Sequence, residues 1–329
     1  MKAFVRTEYG PPRVLRLDEI EQPPPLDDEV LVRIVASSLN QGDLDYLYGK
    51  PFLTRIGIGL RSPRNQRLGF DVAGEVEAVG GGVSTFKRGD AVFGDLTRYG
   101  HGAFAEYALA PERAWSHLPG SMSYEEAATL PQAAILAVQG LRGRGGIAPG
   151  SRVLVNGASG SVGPFAVQIA KALGAHVTGV CSPQKAEMVR QLGADEVIDY
   201  VSEDYVKGNQ RYDWILDVAG NHSIFKCRRA LRPRGVYVLL GGSTKRIFSC
   251  IFFGPLISLA ERKRMGFLWW KPFNEDDVGF LKQLIAAGKL APVIDKTFPL
   301  INIPEALTYL QTGNAIGKVV IISAPGPGS

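Results

Sequence analysis

The stretch 153–171, VLVNGASGSVGPFAVQIAK, constrains the fold more than any other part of the chain. Val153, Leu154 and Val155 form a short apolar, β-branched run that reads as a buried strand. A small, Gly-rich turn comes next, made of Asn156 to Gly163 and including Ala158, Ser159 and Val162. Phe165, Ile169 and Leu173 then recur at helical spacing, and Pro164 sits where a first-turn proline is tolerated. Strand, glycine turn and helix together make a cradle for a diphosphate. Backbone N–H groups line such a turn, and the helix N-terminus carries roughly half a positive charge. Gly160 lets the backbone approach the phosphates, and Gly163 lets the helix pack on the strand.

The full dinucleotide fingerprint is G-x-G-x-x-G, and here Ala158 stands at its first glycine. A βαβ unit is completed downstream, because Gly174 ends the helix and a second strand runs from Ala175 to Val180. An NAD site places Asp or Glu at the end of that strand, on the ribose 2′-hydroxyl. This chain instead reads Cys181-Ser182-Pro183-Gln184-Lys185, with no carboxylate before Glu187. A hydroxyl at Ser182, an ammonium at Lys185 and a phenol at Tyr200 suit a 2′-phosphate, so NADPH is expected and NADH is expected to bind more weakly. Val218-Ala219-Gly220 and Gly241-Gly242-Ser243 are small residues at later strand ends. Ala219, Gly241 and Gly242 are therefore expected beside the nicotinamide and its ribose.

The 329 residues allow two domains. Residues 1 to about 122 read mostly as β, with strands at 2–6, 29–36, 72–79, 91–93 and 103–109, and a short helix at 43–48. From Ser123 onward β and α alternate, which implies a doubly wound parallel sheet. Helices are expected at 124–130, 131–142, 223–231, 276–287 and 304–311. Strands are expected at 196–199, 214–218, 236–240, 294–298 and 318–322, and residues 324–329 read as a frayed tail. The segment Ile247 to Leu259 is very apolar and precedes Glu261-Arg262-Lys263-Arg264. It reads as a core or subunit-interface helix with a solvated end. Contact with a membrane surface through Ile247 to Arg264 and a share in the substrate entrance with Phe267, Trp269 and Trp270 are the other readings. A net charge of +5 is modest for this length and suits an anionic cofactor without calling for nucleic acid. The three cysteines, Cys181, Cys227 and Cys250, lack paired spacing. With no signal-peptide pattern at the start, a reducing, cytoplasmic setting is expected.

These segments together resemble the medium-chain dehydrogenase/reductase superfamily, and within it the zinc-independent NADPH:quinone oxidoreductase group. The resemblance is carried by Asn40-x-x-Asp43, Gly69-x-Asp71-x-x-Gly74, residues 102–107 (GAFAEY), Ala128-x-Leu130-Pro131, Ala158-x-Gly160-x-Val162-Gly163, residues 192–200 (LGADEVIDY) and Gly317-Lys318. It implies an α/β fold with a GroES-like β domain at 1–122 and 272–329 and a Rossmann domain at 123–271. A cleft between the domains and a homodimer are implied as well, with Lys318 counted among the cofactor-binding positions. No metal is expected. Phe70-Asp71 stands where the zinc alcohol dehydrogenases have a His-Glu pair, Asn40 stands near their cysteine, and no cysteine precedes Cys181.

Without a metal, hydride transfer suits a quinone or the β-carbon of an enone, with the protein supplying hydrogen bonds to the developing oxyanion. Asn40, carried over from the family motif, and Tyr46, chosen by its proximity, are the candidate donors, and Asp43 holds their loop. The chain departs from the family at Leu136-Ala137, where a Thr-Ala pair is frequent. The alternative is a non-catalytic NADPH-binding protein that contacts RNA or a membrane surface.

Overall fold

The computed structural model describes residues 1–120 and 122–323; the expected frayed tail, 324–329, lies outside the described residues. The chain divides into two units. Unit 1 comprises residues 1–132, 272–278 and 292–329, and unit 2 comprises 133–271 and 279–291. The first crossing therefore falls after Gln132 rather than at 122, and residues 279–291 group with unit 2.

The strands, in chain order, are β1 (Lys2–Val5), β2 (Arg16–Glu19), β3 (Glu29–Ser38), β4 (Asp71–Val79), β5 (Ala91–Asp95), β6 (Tyr107–Pro111) and β7 (Trp115–His117). Unit 2 then supplies β8 (Arg152–Asn156), β9 (His176–Cys181), β10 (Glu196–Asp199), β11 (Tyr212–Asp217), β12 (Leu231–Leu239) and β13 (Arg264–Phe267). The chain returns to unit 1 for β14 (Ile294–Pro299) and β15 (Lys318–Ile322).

In unit 1, β1 and β2 pair antiparallel, and a larger sheet runs β14-β15-β3-β4-β5-β7 with β6 also on β3. β3 is the central strand, and all of it is buried except Glu29 and Arg33. Arg33 stands opposite Glu75 on β4 and binds it at 2.9 Å, so its charge is met across the ladder. Val30, Val32 and Ile34 face a cluster with Val72, Val76, Val92 and Trp115. The returning β15 pairs with β3 through Val320 and Ser38, which ties the end of the chain to its beginning.

In unit 2, six strands among the described residues run β10-β9-β8-β11-β12-β13, every pair parallel. Strand order reverses direction between β8 and β11, and a ligand crevice opens beyond the carboxyl ends of the strands at such a point. β8 is buried along Val153 to Asn156, as befits a parallel strand covered on both faces. The helix Ala133–Arg142 docks through Gly140. A Cβ there would lie 2.4 Å from Leu216 Cδ1, and the Gly140 carbonyl accepts from Trp214 Nε1 at 3.1 Å.

Several expectations change. β2, β7 and β13 are strands that the periodicity does not reveal, and the helix expected over 223–231 is one turn, Ile224–Cys227, with a tighter turn after it. The apolar segment forms the helix Thr244–Glu261 but is not a core helix, since only Cys250, Gly254 and Ile257 are buried. Phe248, Phe252, Leu256 and Leu259 are exposed, Leu259 by 87%. Its hydrophobic residues run all round the helix, while only one narrow face lies against β13. Among the described residues no helix is long and apolar enough to cross a membrane.

Candidate functional site

In unit 2 the Gly-rich turn leaves β8 at Asn156 and enters the helix Gly163–Ala172. Gly157, at φ +89°, makes the sharp reversal; its N–H and that of Ala158 bind the Val180 carbonyl of β9 at 3.1 and 3.0 Å. Only glycine fits at 163, where a Cβ would lie 2.2 Å from the Gly157 oxygen and 2.4 Å from the Ala158 carbonyl carbon. At Gly160 a Cβ would meet nothing nearer than the Gly157 oxygen at 3.8 Å. The protein leaves open space there, as a diphosphate lying against the backbone requires. No side chain caps the helix start; Pro164 has no N–H and the Ala166 N–H binds the Val162 carbonyl at 3.0 Å, so any N–H offered to a ligand comes from Gly163 or Phe165.

Ala158 is fully buried and takes the place of the fingerprint's first glycine because the next strand makes room. A Cβ at Gly179 of β9 would lie 3.1 Å from Ala158 Cβ and 2.6 Å from Val189 Cγ1. Val162 and Ser159 are both buried. Ser182 directly follows β9 and Lys185 lies in the turn after it. Tyr200 is 56% exposed, and its N–H binds the Cys181 carbonyl, which puts it beside the end of β9. Ala219 and Gly242 are exposed and Gly241 is partly so. Their loops meet glycine to glycine, since a Cβ on Gly220 would lie 2.3 Å from the Gly241 oxygen.

Beneath these loops is a buried network that motif reading misses. Asn156 Nδ2 donates to Asp217 Oδ1 at 2.7 Å and to Asn221 Oδ1 at 2.9 Å. The Gly220 N–H and the Tyr237 hydroxyl each donate to Asp217 at 2.8 Å. Burial raises the Asp217 carboxyl, and these donors oppose the rise. The network fixes the ends of β8, β11 and β12. Its one sequence signal is a polar residue closing each of two apolar strands, Asn156 and Asp217.

In unit 1 a second buried network joins β3, β4 and β15. Lys318 is 0% exposed, and its Nζ lies 2.6 Å from Asn40 Oδ1 and 3.2 Å from Asp71 Oδ2. Asn40 Nδ2 and Ser38 Oγ donate to the same Asp71 oxygen at 2.9 and 3.0 Å. The Asn40 N–H donates to Asp43 Oδ2 at 2.8 Å, which closes the entry to the helix Gln41–Tyr48. Burial raises both Asp71 and Asp43, with Lys318 pulling each back down.

Two of the expected site residues are buried here. Lys318, counted among the cofactor-binding positions, is fully buried in unit 1, where its ammonium pairs with Asp71. Asn40 is 3% exposed, and its amide is engaged by Lys318 and Asp71. Of the three candidates Tyr46 is the half-buried one. Its ring packs edge-on to Phe70 and His101, with centroids 5.4 and 4.9 Å away, and burial raises its hydroxyl, which keeps the phenol protonated. His101 is the third ring of this cluster. Phe70 thus stands in an aromatic cluster. Among the described residues no three His, Cys, Asp or Glu side chains are grouped to hold a metal.

Comparison with known proteins agrees with this architecture. Residues 26–120 match the alcohol dehydrogenase GroES-like domain, and residues 192–321 match a family described as zinc-binding dehydrogenase. The chain is 33% identical to the mitochondrial NAD(P)H oxidoreductase RTN4IP1 of Bos taurus, over 98% of this chain and 89% of that protein. It is 32% identical to the chloroplastic NADPH-dependent alkenal/one oxidoreductase of Arabidopsis thaliana, over 99% of this chain and 80% of that one. The solved quinone oxidoreductase from Coxiella burnetii superposes with a TM-score of 0.86 at 29% identity, covering 98% of this chain and 99% of that one. On this fold, these sites and these similarities, the chain belongs to the medium-chain dehydrogenase/reductase superfamily, in its zinc-independent quinone oxidoreductase group.

Proposed function

We propose that this protein reduces a quinone or an α,β-unsaturated carbonyl compound with NADPH. The observation that carries the reading is the uncapped helix start at Gly163, seated on the turn at Gly157, with open space at Gly160. That is a diphosphate seat at the carboxyl end of β8. Ser182, Lys185 and Tyr200, around the end of β9, supply two hydroxyls and a cation for a 2′-phosphate, and no carboxylate stands among positions 182–186. A bound nicotinamide supplies the hydride. The chain's own residues orient the partners and exclude water. In unit 1 the protonated, half-buried Tyr46 hydroxyl is the candidate to donate to an acceptor oxygen as charge develops on it. The similarities to an NADPH-dependent alkenal/one oxidoreductase and to a quinone oxidoreductase support both acceptor classes.

The test is NADPH oxidation by purified protein against a panel of quinones and enones, repeated with NADH and with a chelator. Acceptor-dependent oxidation, faster with NADPH and unchanged by the chelator, is the expected result. Nucleotide binding without turnover of any acceptor would sink the proposal in favour of a binding protein.

A further inference from the structure

Unit 1 contains a cavity of about 260 Å³ lined by Arg6, Tyr46, Arg64, Asn65, Thr97 and His101, among others. Its lining holds two guanidinium groups and no carboxylate. Arg6 is 2% exposed; its Nη1 donates to the Tyr46 carbonyl, its Nε has no partner, and its flat face lies 5.3 Å from the Tyr9 ring centroid. Among the described residues no carboxylate lies within ion-pair distance of Arg6, Arg64 or the neighbouring Arg67. Burial and the charges of Arg6 and Arg67 push His101 down to about 4, so this ring adds polarity but no compensating charge. A buried cation without a counter-ion is costly, and the buried Lys318 of the same unit has one in Asp71.

We infer that this cavity seats a carboxylate group carried by the acceptor, so that the substrate is a small unsaturated carbonyl acid rather than a neutral enone. The planar guanidinium fork fits a carboxylate with two parallel hydrogen bonds. The volume is about that of eight or nine waters, which suits a short-chain acid. Tyr46 lines the same space, so an anchored acid presents its carbonyl near the one half-buried hydroxyl assigned to the acceptor. The inference rests on the reductase reading for the identity of the ligand. The anion site itself does not.

The experiment uses the whole chain and reads binding and turnover separately. Isothermal titration with 4-oxopentanoate, a saturated and unreducible keto acid, and with its methyl ester measures the value of the carboxylate. The acid should bind at least about tenfold more tightly than the ester, as expected of a charge-assisted hydrogen-bonded pair. In Arg64→Gln, and in Arg6→Met if it folds, this ratio should fall to about threefold or less. Equal binding of acid and ester by the wild-type protein overturns the inference without any variant. So does a preference that survives in Arg64→Gln and Arg6→Met alike, or displacement by inorganic phosphate at lower concentration than by acetate. In turnover, 4-oxo-2-pentenoate should show a lower KM than its methyl ester. Turnover of neutral enones with no preference for the acid removes the inference and leaves the reductase reading intact. Tight acid binding with no acceptor reduced removes the reductase reading and leaves the anion site.

Discussion

Asp71 on β4 and Asp95 on β5 are register partners, and both are buried. Lys318, Asn40 and Ser38 all converge on one Asp71 oxygen, while Asp95 accepts from the Thr97 N–H at 2.7 Å and forms no ion pair among the described residues. Burial first, and repulsion from Asp71 second, push Asp95 up to about 7. The folded carboxyl therefore holds its proton more tightly than the unfolded one. Its destabilising effect is absent below about pH 4, grows as pH rises through the window up to about 7, and is complete above it. Asp95→Asn should flatten thermal stability against pH across that window and raise the melting temperature at pH 8; an unchanged slope would assign the titration to another group. Gly160 and Lys185 offer cleaner tests of the nucleotide seat. A side chain at 160 meets open space, so Gly160→Val should alter stability by no more than about 0.5 kcal/mol yet weaken NADPH by about tenfold to a hundredfold. Lys185→Ala should weaken NADPH by about tenfold or more and NADH by less than about threefold, as titration of each nucleotide will show.

The turn between β8 and its helix works only as a set. Ala158 is compatible with it because Gly179 on the next strand lacks a Cβ, and Gly157 supplies the left-handed backbone one residue before the fingerprint begins. Gly179→Ala should therefore destabilise the protein by about 1–3 kcal/mol, read as a lower denaturation midpoint. Because the harder contact is with Val189 at 2.6 Å, adding Val189→Ala should restore more stability than adding Ala158→Gly. The reverse order would mean that the turn backbone, rather than the helix Ala186–Gln191, is the rigid neighbour. The turn was legible in sequence because strand, glycine and helix signals lie side by side. Its compensation by Gly179 was not, because the two positions meet only through strand pairing.

At the scale of the molecule, the last strand completes what the first strands begin. β15 reaches β3 and brings Lys318 to Asp71 across 247 positions of sequence. Lys318→Met should leave Asp71 buried without its cation and cost about 3–5 kcal/mol. The double variant Asp71→Asn with Lys318→Met should recover most of that loss in urea denaturation, and no recovery would mean that the amine is needed for Asn40 instead. The division into units obeys the same logic. Residues 123–132 read as the opening of the second domain because the texture turns helical at Ser123, yet they group with unit 1. Composition reports local structure, whereas unit membership is set by which sheet a helix covers.

The sequence by itself determined the parallel sheet and its strand–glycine turn–helix unit, since each depends on residues adjacent along the chain or one βαβ unit apart. It also carried enough family pattern to name the superfamily. Only the tertiary structure decided that Lys318 and Asn40 face inward, that His101 packs on Tyr46 and Phe70, that the helix Thr244–Glu261 leaves most of its apolar surface exposed, and that Arg6 lines a cavity with no counter-ion among the described residues. Charge compensation and burial are set by residues far apart in sequence, and no local pattern encodes which of them will meet.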